Sequence, residues 1–406
     1  MSLLSCQRKT ALPAEGTSAS STDHSVTSAN GKEPIVPEIS VSRYAAMMNN
    51  ERKEVITKID SLCISVAEVD PDWAFTHHAM ITVFQDVFYA MWSSGRIHED
   101  DCGQRILYAT SRDGVNWGEP IPLIDSLQGQ YSEEVLTAGG FYVNGDTLVA
   151  YAFVYEYQKQ ALSAENCRPM EGSTAFSNFR TLYMTTTDGT NWSEPDKLPL
   201  SDFAINTPPI TLQSGRLLMC AMNTFAYTDY ADGINGWKKV GISQADLEKV
   251  QAVSGILCEA ACFQTPEGII NMLFRNLGDS FVYCAQSYDD GETFTKPYRT
   301  NITNDNSKFC VGILPDGQYY YIGNTYPESG RNPLVICLST DGCDFSRQFV
   351  LRDEVYQRQY DGFAKGGTYG YPQAIVEGEY LYVIYTKQKE CVEITRIALS
   401  DLTVKN

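Results

Sequence analysis

The sequence predicts an all-β protein: a six-bladed β-propeller of four-stranded antiparallel blades, the last blade closed by an N-terminal strand. Three observations lead there. A hairpin pattern occurs six times, a turn motif follows it in four copies, and one strand pattern without a hairpin partner stands ahead of the first copy. Residues 41–406 are read as one propeller domain behind a tether at residues 1–40.

The hairpins come first in each unit. They are HHAMITVFQDVFYAMW (77–92), TAGGFYVNGDTLVAYA (137–152), TPPITLQSGRLLMCAM (207–222), EAACFQTPEGIINMLF (259–274), SKFCVGILPDGQYYYIG (307–323) and YPQAIVEGEYLYVIY (371–385). Each is an apolar run, a tight turn with Gly or Asp, and a second apolar-aromatic run, which is a hairpin signal. Turn-to-turn intervals of about 50 to 70 residues suit a four-stranded blade with variable loops.

A third strand then runs into the second motif, in ILYATSRDGVNW (106–117), TLYMTTTDGTNW (181–192), VYCAQSYDDGETF (282–294) and VICLSTDGCDF (335–345). The common element is Ser or Thr, any residue, Asp, then Gly and an aromatic. The hydroxyl and carboxylate cap the turn, Gly accepts positive φ, and the aromatic packs back under the hairpin.

Residues 54–68 (EVITKIDSLCISVAE) read as a strand that completes the last blade and closes the ring. Helix is minor, expected at 42–53 and 243–252. Ahead of the domain, Leu3-Leu4-Ser5-Cys6 resembles a lipobox, and residues 10–38 are rich in Ser, Thr, Ala and Pro. The expectation is a lipid-anchored chain, periplasmic or on the cell surface, with a solvated tether.

Composition narrows the class. The formal charge is −19, with 31 Lys+Arg against 50 Asp+Glu, which argues against a general nucleic-acid binder. No apolar run is long enough to span a bilayer, so the only membrane contact expected is the lipid anchor. The twelve cysteines are scattered without CxxC pairs and read mostly as small buried hydrophobes. Cys258 and Cys262, four apart in one strand, are expected on one face and too distant for a disulfide. Neither a cofactor nor a metal motif is present, and nothing in the pattern demands a second copy of the chain.

In a propeller the first strand of each blade lines the central channel, and its entrance end builds the pocket. Those ends carry His77 and His78, the stretch around Thr137, Asn206 and Thr207, Glu259, Asn306 and Ser307, and Tyr371. Such a polar ring at the start of apolar strands points to a pocket on the axis. Three of the four histidines (His77, His78, His98) fall in blade one, and His24 lies in the tether.

The repeated turn motifs are Asp boxes, and the chain resembles the sialidase (neuraminidase) superfamily of BNR-repeat propellers over residues 54–402. Ser287–Phe294 has the full SxDxGxTF form. The resemblance implies a Tyr nucleophile with a Glu partner and an arginine clamp for a substrate carboxylate. It carries over to Glu259 with Arg275 about 15 residues later, to Arg331 ahead of an Asp-box strand, and to Tyr371, with Tyr369 as competitor. Asp100 or Asp101, in the loop 93–105, matches the family's acid/base. The departure lies in blade one, where Thr76-His77-His78-Ala79 replaces the segment bearing the first arginine; Arg96 is the nearest substitute.

Three functions follow as expectations. The first is an exo-acting hydrolase of a terminal acidic or polar sugar: Tyr371 attacks, Glu259 takes its proton, Arg275 and Arg331 hold an anion, and Asp100, Asp101 or His98 protonates the leaving oxygen. His77, His78, Arg96, Asn206 and Asn306 would line the pocket. The second is a lyase of rhamnose-capped glucuronate type, with His78 and His98 as base and acid. The third is a glycan-binding propeller without catalysis, using aromatics such as Tyr227, Tyr230 and Trp237.

Overall fold

The computed structural model describes residues 41–53, 56–164, 169–170, 173 and 175–403. The tether and the Leu3–Cys6 segment lie outside the described residues. Six sheets form the predicted ring, each an antiparallel meander of four strands. Their innermost strands are Phe75–Phe84, Val135–Asn144, Thr207–Thr211, Leu257–Gln264, Cys310–Ile313 and Tyr369–Glu377, in blades one to six. Large apolar clusters fill the spaces between neighbouring blades. Phe225, Leu247, Cys262 and Phe274, for example, belong to one cluster shared by blades three and four. That burial is the main stabilising term in a sheet protein of this kind.

Closure is as predicted but shorter. Leu62–Ala67 pairs antiparallel with Cys391–Ala398 and becomes the outer strand of blade six. The segment ahead of it breaks away: Thr57–Lys58 runs parallel to the outer strand of blade five, with Thr57 opposite Phe349. Residues Thr57–Ala67 therefore touch two blades, and Asn49 ahead of them bridges to Asn301 of blade four. The α-helices of the described residues are Val41–Met47, Gln244–Ser254 and the single turn Leu399–Leu402, the second capped by the Ser243 side chain accepting from the Asp246 amide. No helix of the described residues is long and apolar enough to cross a membrane.

The Asp boxes act through hydrogen bonds. In blade one Ser111 Oγ accepts from the Gly114 amide at 2.9 Å, and Asp113 Oδ1 accepts from the amides of Val115 and Asn116 at 2.9 and 2.7 Å. Thr186 with Asp188, Ser287 with Asp289 and Ser339 with Asp341 repeat the pattern. Blade three holds a related turn that the motif search passed over. Asp232 Oδ1 accepts from the Ile234 and Asn235 amides, and the indole of Trp237 donates to the Gly233 carbonyl. Tyr227 and Trp237 are consequently buried blade residues, while Tyr230 alone of the expected stacking trio is exposed.

One backbone device recurs at the pocket end. The innermost strands of blades one, two, three, four and six slip register by a bulge close to their start. In three of these bulges sits a non-glycine residue with positive φ: His78 at 56°, Glu259 at 47° and Tyr371 at 55°. Asn306, just ahead of the blade-five strand, has φ 45°, and blade two uses Gly140 at 94°. A left-handed residue at a bulge re-aims its side chain and interrupts the alternation of faces. The same slip corrects the expectation for Cys258 and Cys262. Their cross-strand partners, Arg275 and Met272, are three residues apart on a regular strand, so the two cysteines face opposite sides.

Candidate active site

The bulges bring the polar residues of blades four, five and six together. Tyr371 donates its hydroxyl to Glu259 Oε1, and Arg275 pairs with Glu259 Oε2 while donating to the Tyr371 oxygen at 3.0 Å. Arg275 Nε also donates to Asn306 Oδ1 at 3.0 Å. Glu259, Arg275 and Tyr371 are all buried. Burial alone would raise the Glu259 pKa, but Arg275, the Tyr371 hydroxyl and Lys308 hold it down at about 2. Burial, reinforced by the Glu259 charge, pushes the Tyr371 phenol well above its usual value. The resting couple is thus carboxylate and neutral phenol.

Tyr369 is elsewhere. Its hydroxyl donates to Glu354 and its ring packs edge-on to Tyr385 in the core between blades five and six. Two residues apart they would share a face on a regular strand; the bulge at Tyr371 sends the two rings to different places. Arg331 lies with its guanidinium carbon 6.0 Å from the Tyr371 ring centre and donates to the Asn306 carbonyl at 3.0 Å.

The blade-one imidazoles cover the tyrosine. The ring of His77 stands 4.0 Å from that of Tyr371 and His78 5.3 Å, centre to centre. Both are neutral: burial, then Lys389, drives His77 well down, and burial, then Lys308, takes His78 to about 3. His77 Nδ1 meets Thr386 Oγ1 at 3.1 Å, and that hydroxyl donates to the Gly370 carbonyl. The His77 proton therefore sits on Nδ1, leaving Nε2 an acceptor. Nε2 is buried without a hydrogen-bond partner, 3.8 Å from Glu99 Oε1.

The loop 93–105 arranges itself differently from expectation. Glu99 faces the pocket, held by Lys389 at 2.8 Å. Asp100, next to it with φ 58°, turns its carboxyl to Tyr155 of blade two, and Tyr157 donates to its carbonyl. Burial, then the Glu99 charge, raises Asp100 to about 7. Asp101 is buried as well. His98 Nδ1 accepts from the Phe363 amide at 2.9 Å and so ties this loop to the loop before blade six. Arg96 does not reach inward. Its guanidinium stacks over Trp73 at 5.1 Å and faces Glu133 at 3.6 Å, half exposed on the rim, where water solvates the charge at little cost.

Sequence reasoning missed Lys308, Glu99 and Lys389. Lys308 precedes the innermost strand of blade five, 3% exposed, and its ammonium donates to the Asn206 carbonyl of blade three. Beside it the Asn206 amide nitrogen is buried without a partner. Beyond Lys308 the channel continues as a cavity of about 430 Å³, walled by residues such as Pro208, Cys262, Cys310 and Gln373. The polar ring was legible as an entrance layer, yet Lys308 looked like one more residue of a strand.

His77, His78 and Glu99 have ligand atoms within 4.8 Å of one another and are the residues that could hold a metal ion. The Lys389 ammonium already occupies Glu99, and Lys308 and Arg331 add positive charge nearby. Electrostatics therefore favours an anion here over a cation.

Fold and site together define a six-bladed propeller with Asp-box turns and a polar axial pocket. The profile of the BNR repeat-like domain matches residues 86–383, and the chain belongs to that family. Among solved structures, a sialidase superposes with TM-score 0.62 at 17% identity, covering 87% of this chain and 35% of its own. The chain thus spans about a third of that sialidase. A protein of unknown function from Dyadobacter fermentans gives 0.60 at 15%, covering 83% and 98%. A Trypanosoma rangeli sialidase, in a covalent intermediate with 2,3-difluorosialic acid, gives 0.60 at 11%, covering 86% and 60%. No curated protein matches by sequence.

Proposed function

We propose that the protein is an exo-acting glycoside hydrolase that removes a terminal acidic sugar from a complex glycan. The observation that carries this reading is the buried Tyr371–Glu259–Arg275 couple at the end of the channel. Tyr371 Oη attacks the anomeric carbon as its proton passes to Glu259. Glu259 is a weak base and Tyr371 a weak acid, so the proton moves only as the new C–O bond forms. The departing oxygen takes its proton from the Glu99–Lys389 pair, which faces the pocket, rather than from Asp100, whose carboxyl is turned to Tyr155. Water then attacks the same carbon and yields its proton to the Glu99–Lys389 pair, while the released tyrosine recovers its own from Glu259.

The pocket walls suit a sugar. His77 Nε2 and Glu99 accept hydrogen bonds, whereas Lys308, Asn206 and Arg331 donate them. The positive charge of Lys308 and Arg331, each bound to a neutral carbonyl, favours an acidic sugar over a neutral one. The lipobox-like Leu3–Cys6 fits work on external glycans, at the periplasm or cell surface.

A panel of p-nitrophenyl glycosides, sialosides included, tests the reading. The expected result is release of nitrophenol by the native chain and none by Tyr371→Phe, with a fluorosugar adduct on the Tyr371 peptide by mass spectrometry. Turnover that survives Tyr371→Phe overturns it.

A second reading, a uronate lyase, draws support from the two neutral imidazoles against Tyr371. His77 or His78 would take the C5 proton. His98, tied to Phe363, would not be its acid. Unsaturated-uronate absorbance without reducing-sugar release at the hydrolysis site distinguishes it.

A further inference from the structure

Four cationic side chains surround Tyr371, and they are not equivalent. Arg275 is committed to Glu259, to the Tyr371 hydroxyl and to Asn306. Lys389 is neutralised by Glu99 at 2.8 Å. Arg331 donates to the Asn306 carbonyl and keeps more contact with water than Lys308 does, although burial and the Arg275 charge lower its pKa.

Lys308 is different. It is 3% exposed, its ammonium lies 5.6 Å from the centre of the Tyr371 ring, and the partner it reaches is a neutral carbonyl across the channel, that of Asn206. An ammonium has three donors, so two remain for other acceptors. Glu259 is the carboxylate whose charge it feels, and that carboxylate is already bound by Arg275 and Tyr371. The cost of burial is visible in its pKa, lowered to about 8. Next to it the Asn206 Nδ2 group, a donor of two further bonds, is buried with no acceptor. Spare donors and unscreened charge at one spot call for an oxyanion from outside the chain.

We propose that Lys308 and the Asn206 amide form an oxyanion subsite at the floor of the pocket, which receives the carboxylate or sulfate of the sugar and sets specificity for acidic ligands. The inference rests on the acidic-sugar reading above and goes beyond it: Arg275 serves the catalytic couple, and a lysine from blade five with an amide from blade three selects the substrate.

Binding of monosaccharides, measured by calorimetry without turnover, tests it. The probes are sialic, glucuronic and galacturonic acids with their methyl esters, and galactose 6-sulfate with galactose. The native protein is expected to bind one charged probe about tenfold or more tightly than its neutral parent. Lys308→Met should bring that ratio to about one, and Lys308→Arg, which keeps the charge, should preserve it. The responding probe tells carboxylate from sulfate. If Lys308→Met keeps the full ratio at an unchanged melting temperature, the subsite is elsewhere and the proposal is overturned, whether or not hydrolysis is found. If Lys308→Met fails to fold, Asn206→Leu must lower the ratio at least about threefold, and an unchanged ratio overturns the proposal equally. If the native protein distinguishes no pair, the acidic-sugar reading itself falls, and the subsite with it.

Discussion

Tyr371 and Glu259 meet across a missing neighbour: the phenol of blade six donates to the carboxylate of blade four, while the blade between them contributes neither atom. Such a contact depends on the whole ring being closed. Blade five instead supplies the surroundings of the couple, through Asn306, Lys308 and Arg331.

Removing the two partners should have unlike effects on stability. Tyr371→Phe deletes one hydroxyl and is expected to cost about 1 kcal/mol while abolishing turnover. Glu259→Ala leaves Arg275 buried beside an empty position and should cost about 3 to 5 kcal/mol. Thermal melts compared with activity on the same samples check both.

The pH dependence of stability should follow Asp100. Its folded pKa of about 7 lies above the unfolded value of 3.8, so the proton it holds in the folded protein is lost as pH rises through about 7. Stability contributed by the protonated form declines between about pH 4 and about pH 7 and levels off above. Asp100→Asn should melt higher than the native chain at pH 8 and close to it at pH 4, as thermal melts at the two pH values will show.

Gly367 controls Arg331. A Cβ there would lie 2.4 Å from the Arg331 Cδ, and the backbone φ is +92°. Gly367→Ala is expected to push the guanidinium out of place and raise KM for a charged substrate with less effect on kcat, as steady-state kinetics will show.

Ring closure should be sensitive to its N-terminal strand. Ile64 is 4% exposed between blades six and one, in a cluster with Trp92 and Ile394. Ile64→Ala should cost about 2 to 5 kcal/mol in denaturant unfolding. An exposed neighbour, Leu62, should tolerate the same change.

The scaffold was readable from sequence because hairpins and Asp boxes are local: each signal lies within about 16 residues and repeats. The Tyr371–Glu259–Arg275 group was also reachable, since each residue stands at a strand start or its returning partner. Other features depended on three dimensions. Which of Glu99, Asp100 and Asp101 faces the pocket is decided by a single left-handed residue in a loop. That Arg96 turns to Trp73, and that Lys308 reaches Asn206, are contacts between segments 23 and 102 residues apart, with no periodicity to announce them. The blade-three turn escaped because its Asp232 is set further from the strand than in the other copies.

The recurrent bulge has a consequence for how such a pocket can change. Because the kink, and not the side chain, fixes where each position points, the backbone acts as a set of sockets around the axis. His78, Glu259, Asn306 and Tyr371 occupy four of them with nearly the same φ. Asn and His tolerate this conformation readily and Tyr less so, yet all four are accommodated. Exchanging one occupant should therefore alter the chemistry of the pocket while leaving its address, and the blades that carry it, as they were.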